Sequence, residues 1–470
     1  MKKTIISVLL LSVWGLKAQN ITTDMLRSFD QEVGHTATDK ALINAITGSD
    51  LKTLALNRNN IATNDHAFKY KVDVNGITNQ KSSGRCWMFT SLNILRPKVM
   101  EKYNLSSFEF STNYLYFYDL LEKSNLFYEQ VILTRKIKMN EDIGPYVAKM
   151  GKKESGQTVT YLFKNPIGDG GVWNSFVNLA EKYGVVPKKV MPETFHSEKT
   201  SDLNKLLRRK LREDGLRLRE ADNDKAAREL KQDMLKNIYR ILTLTLGQPP
   251  KSFDWRYTDK EGNLSENKNY TPVEFYNEVV GVELDDYIML MNDPSRPYYI
   301  HYEISYDRNV MEGRNWKYVN LPAEEVKKIA LASIKANEAL YASCDVGKQL
   351  NNKEGLCALD NYQYGQLLGV TFGMDKKERI MTGESGSSHG MALIAVDVDK
   401  NEETTMWQFE NSWGTEAGHN GYLTFTDDWF TEYMFRVVPH KKFISEDILK
   451  ILDTEATLLP PWDPMFQMDE

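Results

Sequence analysis

Between Asn79 and Phe89 a polar, glycine-containing turn runs directly into an apolar-periodic stretch, so this junction has to be the start of a helix. Trp87, Phe89, Leu92, Leu95 and Val99 recur at helical spacing, which places Cys86 in the first turn. The unpaired N–H groups and positive dipole end of a helix stabilise a thiolate, the form of cysteine that attacks a carbonyl carbon. Such a nucleophile needs a base, and the base needs an orienting group. Both have to come from elsewhere in the 470 residues.

The last quarter of the chain supplies candidates. Ser388-His389-Gly390 opens an apolar run, Met391 to Val396, that reads as a central strand. Trp407 to Glu410 leads into Asn411-Ser412-Trp413-Gly414, and Gly421 to Phe425 reads as a strand paired with the one before it. Adjacent strand positions bring His389 and Asn411 within hydrogen-bond reach, which is a Cys-His-Asn arrangement. In it the imidazole takes the thiol proton and the carboxamide sets its tautomer. Gln80, six residues before Cys86, can donate with the Cys86 N–H to the oxyanion of a tetrahedral intermediate. Taken singly, a histidine at a strand start and a turn with a tryptophan are ordinary structural features. In this order they form a set.

Gly168-Asp169-Gly170-Gly171 precedes a helical run from Trp173 to Tyr183 and lacks the G-x-G-x-x-G phosphate spacing. Two readings stand: a turn leading into a helix, or a place where an extended peptide approaches the main chain.

Gln80, His389, Asn411 and Trp413, with Gly84-Arg85-Cys86-Trp87 around the nucleophile, resemble the papain-like cysteine peptidases. The resemblance implies an α+β papain-like fold, its helical half carrying Cys86 and its β-rich half His389 and Asn411. It also implies that Gly170 and Gly171 bind substrate main chain and that Trp413 shields the His389–Asn411 bond. Cys86 and His389 are 303 residues apart, roughly twice the usual interval, so a large, mainly helical insertion intervenes. From about residue 60 onward the chain is similar to the bleomycin hydrolase and aminopeptidase C branch, above all in Leu459-Pro460-Pro461-Trp462-Asp463-Pro464-Met465. That branch implies an aminopeptidase acting on peptides with free N-termini, a homohexamer, and a C-terminal arm lying in the cleft. The ending differs: Phe466 to Glu470 is bulkier and acidic where the branch has small residues, so with Glu470 in the cleft it would either narrow the cleft or favour a basic N-terminal residue. An ungated cleft would instead make an endopeptidase.

The implied layout is a signal peptide (1–18), an N-terminal extension (19–64), the helical half (65–190), the insertion and oligomerisation region (191–370), the β-rich half (371–445) and the arm (446–470). The first segment reads as an export signal, with basic Lys2 and Lys3, an apolar run to Leu16 and small Ala18, so the expectation is a periplasmic or secreted protein. The apolar part is too short to span a bilayer, and no later segment looks transmembrane. Removing Lys2, Lys3 and Lys17 takes the formal charge from −6 to −9, a poor balance for general nucleic-acid binding. The basic cluster Arg208 to Arg219 keeps that alternative in view. Its segment, 202–246, also carries 8 acids among 12 Lys and Arg, which favours a solvated helical arm. The seven histidines are scattered with no H-E-x-x-H, so neither a metal nor another cofactor is expected. Of the three cysteines Cys86 stays free; the spacing of Cys344 and Cys357 permits a bridge without demanding one, and two buried thiols is the plainer reading.

Overall fold

A computed structural model describes residues 20–64, 66–137 and 158–463. The signal peptide and Glu470 lie outside the described residues. The chain divides into two units, one of residues 1–56 with 362–370 and one of residues 57–361 with 371–470.

In the smaller unit, α1 (Thr23–Glu32) and α2 (Ala37–Thr47) start at threonine caps: Thr22 accepts from the Met25 N–H, and Thr36 forms a capping box with Asp39. Neither helix buries a residue, and Leu26, Phe29 and Val33 are all more than half exposed. The Leu56–Tyr362 bridge and the Gln363 N–H donating to the Ala55 carbonyl (2.8 Å) close this unit.

The larger unit is organised around α3 (Cys86–Lys102), which buries residues on every face rather than along one stripe. Against it pack α4 (Thr112–Leu133), capped by Ser111 accepting from the Tyr114 N–H, and α5 (Trp173–Tyr183). The most charged segment forms two helices, α6 (Ser201–Glu220) and α7 (Asp224–Leu246), broken where Asn223 caps the Ala226 N–H. Apart from exposed Arg209, the basic cluster on α6 is committed locally. Arg208 donates to the Ile167 carbonyl, Arg212 to those of Phe163 and Lys164, and Arg219 to that of Thr134, while Lys210 and Arg217 pair with Asp214 and Glu213. Bound to nearby carbonyls and carboxylates, these side chains do not form a free phosphate-binding stripe.

Among the described residues, twelve strands make one sheet. They are β1 (Tyr70–Lys71), β2 (Leu290–Met291), β3 (Ile300–Ile304), β4 (Lys317–Asn320), β5 (Leu340–Cys344), β6 (Leu350–Asn351), β7 (Leu356–Cys357), β8 (His389–Val398), β9 (Thr404–Glu410), β10 (Tyr422–Thr426), β11 (Met434–Val438) and β12 (Thr457–Leu459). Their order is β12-β3-β4-β2-β11-β5-β8-β9-β10-β7-β6, with β1 beside the far end of β8. The apolar run Met391 to Val396 is the buried centre of β8, as its composition requires, and β9 pairs antiparallel with both β8 and β10. The alternation from Phe68 to Val74 suggests a longer strand than the two residues observed. β5 occupies the same edge of β8 from His389 to Leu393, which leaves only Ala395 and Val396 to pair with Lys71 and Tyr70. Within residues 191–370 the long helices end at Leu246; the later part supplies β2 to β7 and α8 (Ala323–Lys335), and β5 sits in the middle of the sheet. Cys344 on β5 and Cys357 on β7 are both buried and are not joined in a disulfide.

Candidate active site

The turn before α3 is held by its own side chains. Asn79 Oδ1 accepts from the Lys81 N–H (2.9 Å), which lets Lys81 adopt φ +54°, and Ser83 Oγ donates to the Gln80 carbonyl (2.7 Å). The turn is then bonded to the segment after β9. The Gln80 N–H donates to the Ser412 carbonyl (2.7 Å), Ser412 Oγ donates to Gln80 Oε1 (2.6 Å), and the Gly414 N–H donates to the Thr78 carbonyl (3.0 Å). Residues more than 300 positions apart are thereby set side by side.

Cys86 opens α3, and no side chain caps this helix start. Its thiol is buried, and the Gly390 N–H points at Sγ from 3.5 Å. The residue before Gly390 is His389, whose Nε2 lies 2.8 Å from Asn411 Oδ1. The Ser412 N–H also donates to Asn411 Oδ1 (2.8 Å), so that atom has to be the amide oxygen. Nε2 therefore carries the hydrogen, and Nδ1 is the basic nitrogen of the neutral ring. Burial pushes the His389 pKa down to about 4, against the Asn411 bond, which favours the charged form. The Trp413 ring lies 4.8 Å from the imidazole at an interplanar angle of 32° and covers it.

Gln80 Nε2 donates to the Ser83 carbonyl (2.6 Å), which uses one of its two hydrogens and fixes the amide beside the start of α3. The two candidate glycines differ. A Cβ on Gly171 would come within 2.6 Å of the Trp87 ring, whereas one on Gly170 would meet nothing within 4 Å. Gly171 is thus required for packing against the residue after Cys86, and Gly170 borders the open cleft. Gly171→Ala is expected to lower stability by about 1–3 kcal/mol, because Trp87 has to move in a filled core. A denaturant midpoint equal to that of the parent would count against this.

Asp169 was not singled out by its sequence pattern, although it stands beside the glycine pair. Its Oδ2 accepts from the Gly84 N–H (2.8 Å) and from Thr200 Oγ1 (2.5 Å), and its carbonyl accepts from Trp87 Nε1 (2.8 Å). A single residue thus grips both sides of Cys86. Beneath, the buried guanidinium of Arg85 pairs with Glu193 (2.9 Å) and lies over the rings of Phe89 and Tyr116. Burial alone would raise Glu193; the Arg85 charge and bonds from Arg85, Ser197 and Thr112 outweigh it and hold the carboxyl below its ordinary range.

Cys86, Trp87, Gly170, Gly171, His389 and Gly390 share one cleft of about 1250 Å³ including its open mouth. Pro461 also lines it. Among the described residues no group of three or more histidine, cysteine, aspartate or glutamate side chains is placed to hold a metal ion.

Residues 20–466 match the model of the Peptidase C1-like family. The chain belongs to that family. Bleomycin hydrolase of Mus musculus is 40% identical over 441 residues, covering 91% of this chain and 94% of that protein. Aminopeptidase C of Listeria innocua is 38% identical over 449 residues, covering 95% and 98%. The crystal structure of pepw from Lactobacillus rhamnosis superposes with a TM-score of 0.89 at 36% identity, over 96% of this chain and 99% of that one. The chain is thus a cysteine-type peptidase with the papain-like fold expected from Gln80, Cys86, His389 and Asn411.

Proposed function

We propose that this protein is an exported cysteine aminopeptidase in which Cys86, His389 and Asn411 act as a triad. The observation that carries the reading is the juxtaposition in one cleft of the Cys86 thiol, the peptide unit joining His389 to Gly390, and an imidazole whose tautomer Asn411 sets. His389 Nδ1 takes the thiol proton as Sγ attacks the carbonyl carbon of the first peptide bond. The Gln80 amide and the Cys86 N–H receive the oxyanion. Collapse breaks the C–N bond, and the imidazolium passes its proton to the leaving amine, leaving a thioester on Sγ. Water then gives a proton to His389, attacks the thioester carbonyl and releases the amino acid as the S–C bond breaks.

Selectivity for chain ends is assigned to the C-terminal arm. This reading is supported by the contacts of the arm as far as Asp463: β12 pairs with β3, Tyr161 Oη donates to the carbonyl of Pro461, a cleft-lining residue (3.1 Å), and Arg296 binds both oxygens of Asp463 (3.0 and 2.8 Å). The exposed apolar residues of α1 support assembly into the homohexamer. Export rests on the sequence of residues 1–18.

The decisive measurement compares fluorogenic amino-acid amides with and without an N-acetyl group. Release from the free-amine substrate alone is expected; equal cleavage of both would point to a thiol endopeptidase. Deleting residues 466–470 is expected to raise cleavage of the acetylated substrate. Unaltered end-selectivity after deletion would remove the arm from the account.

A further inference from the structure

We propose that Asp307 recognises the α-ammonium of the substrate, so that the cleft wall itself contributes to the requirement for a free amino terminus. The inference rests on the aminopeptidase reading and adds to it a binding residue outside the triad and the arm.

Among the described residues lining the cleft, Asp307 is the one carboxylate. The other charged side chains there, Lys123, Arg308 and Arg436, are cations, and the remaining wall is apolar, aromatic or neutral. An ammonium entering this space is repelled by three side chains and attracted by one. The cations also have their own engagements. Lys123 pairs with Asp119 and donates to the carbonyls of Gly168 and Gly170, Arg308 donates to Asn315, and Arg436 lies 4.1 Å over the Trp316 ring.

Asp307 differs from them. Its main chain is pinned, with the carbonyl accepting from Asn174 Nδ2 (2.9 Å) and the Trp316 N–H (3.0 Å), yet its carboxylate accepts no hydrogen bond among the described residues. The backbone is thus fixed while the carboxylate oxygens stay available to a ligand. Asp307 is partly buried and lines the cleft. Burial pushes the carboxyl up to about 6, outweighing the attraction of Arg436 and Lys123, so a further cation bound there would favour its charged form. Asp307 also sits where the arm comes in: its charge acts on Tyr161, the residue that holds the Pro461 carbonyl. Asp307 and Cys86 line the same cleft, and an acylated nitrogen brings no charge to that anion.

The test uses the full chain with Ala-, Arg- and citrulline-amide substrates and N-acetyl-alaninamide, in the parent, Asp307→Asn, Asp307→Glu, Cys86→Ala and the chain lacking residues 466–470. The Asn variant is expected to lose roughly 10- to 100-fold in the ratio of kcat/KM for free over acetylated alaninamide, the size of one bond to a charged group. Asp307→Glu is expected to recover part of that ratio. The rate at which iodoacetamide labels the thiols in Asp307→Asn and Asp307→Glu reports whether each variant has kept the site, and a misfolded one is replaced by Asp307→Ser. If the ratio survives in Asp307→Asn but vanishes on deleting residues 466–470, the tail carries recognition and the proposal is overturned. Loss confined to the Arg substrate would likewise overturn it, by showing that Asp307 reads a side chain. Should Cys86→Ala retain activity, or the parent cleave no free-amine substrate, the underlying peptidase reading fails instead.

Discussion

Cys86→Ala is expected to lower kcat/KM on an amino-acid amide by roughly 10⁵- to 10⁶-fold, as removal of the nucleophile of a catalytic unit does elsewhere. His389→Ala should lose nearly as much, and the double variant scarcely more than either. The reason is mechanical: without a base the buried thiol keeps its proton, and without the thiol the base has nothing to activate. Additive losses in the double variant would mean that the two residues act independently and would break the triad. Because burial holds His389 near a pKa of about 4, the acid limb of kcat/KM should also fall around pH 4, well below the 6.5 of an exposed imidazole. The same shift is linked to stability. The folded protein binds fewer protons at His389 than the unfolded chain between pH 6.5 and 4, so stability is fully present above 6.5 and declines as the pH falls through 4. The decline amounts to about 3 kcal/mol, and His389→Gln should flatten it in a series of unfolding titrations.

Local patterns brought these residues out of the sequence because each obeys a short-range rule. A polar turn against an apolar period marks a helix start, and an apolar run opening on a histidine marks a buried strand. The bonds that join the two halves obey no such rule. Ser412 and Asp169 stood in the right strings, but nothing in their spacing indicates that one would anchor Gln80 and the other Gly84 and Trp87. Those contacts span 332, 85 and 82 residues and exist only once the fold has closed. β1 shows the same limit from the other side: its alternation was legible, yet its length was decided by a competing neighbour, β5, on the same edge. Asp307 carries no motif at all and becomes informative only through what else lines the cleft.

The second large effect is expected at Arg96 and Glu410. Arg96 lies ten residues along α3 from Cys86, and Glu410 immediately precedes Asn411, so their ion pair (2.7 Å) ties the helix that opens at Cys86 to the strand that leads into Asn411. Both side chains are almost wholly buried. Burial pushes the Glu410 carboxyl up to about 7 against the pull of Arg96, so the attraction does not fully offset the loss of water. Glu410→Gln leaves the guanidinium buried without its counter-charge and is expected to cost about 3–5 kcal/mol, read as a lowered denaturant midpoint. Arg96→Met with Glu410→Leu removes both charges at once and should recover most of that loss, because two apolar side chains need no hydration. If the pair also sets the register of the site, the double variant will regain stability while kcat stays below that of the parent. Arg96 additionally donates to the Gly76 carbonyl (2.9 Å) and to Asn93 Oδ1 (3.2 Å), and methionine gives up both bonds beside the helix that positions Cys86. Full recovery of kcat together with stability would show that packing alone aligns Asn411 with α3 and that the ion pair contributes nothing to the geometry.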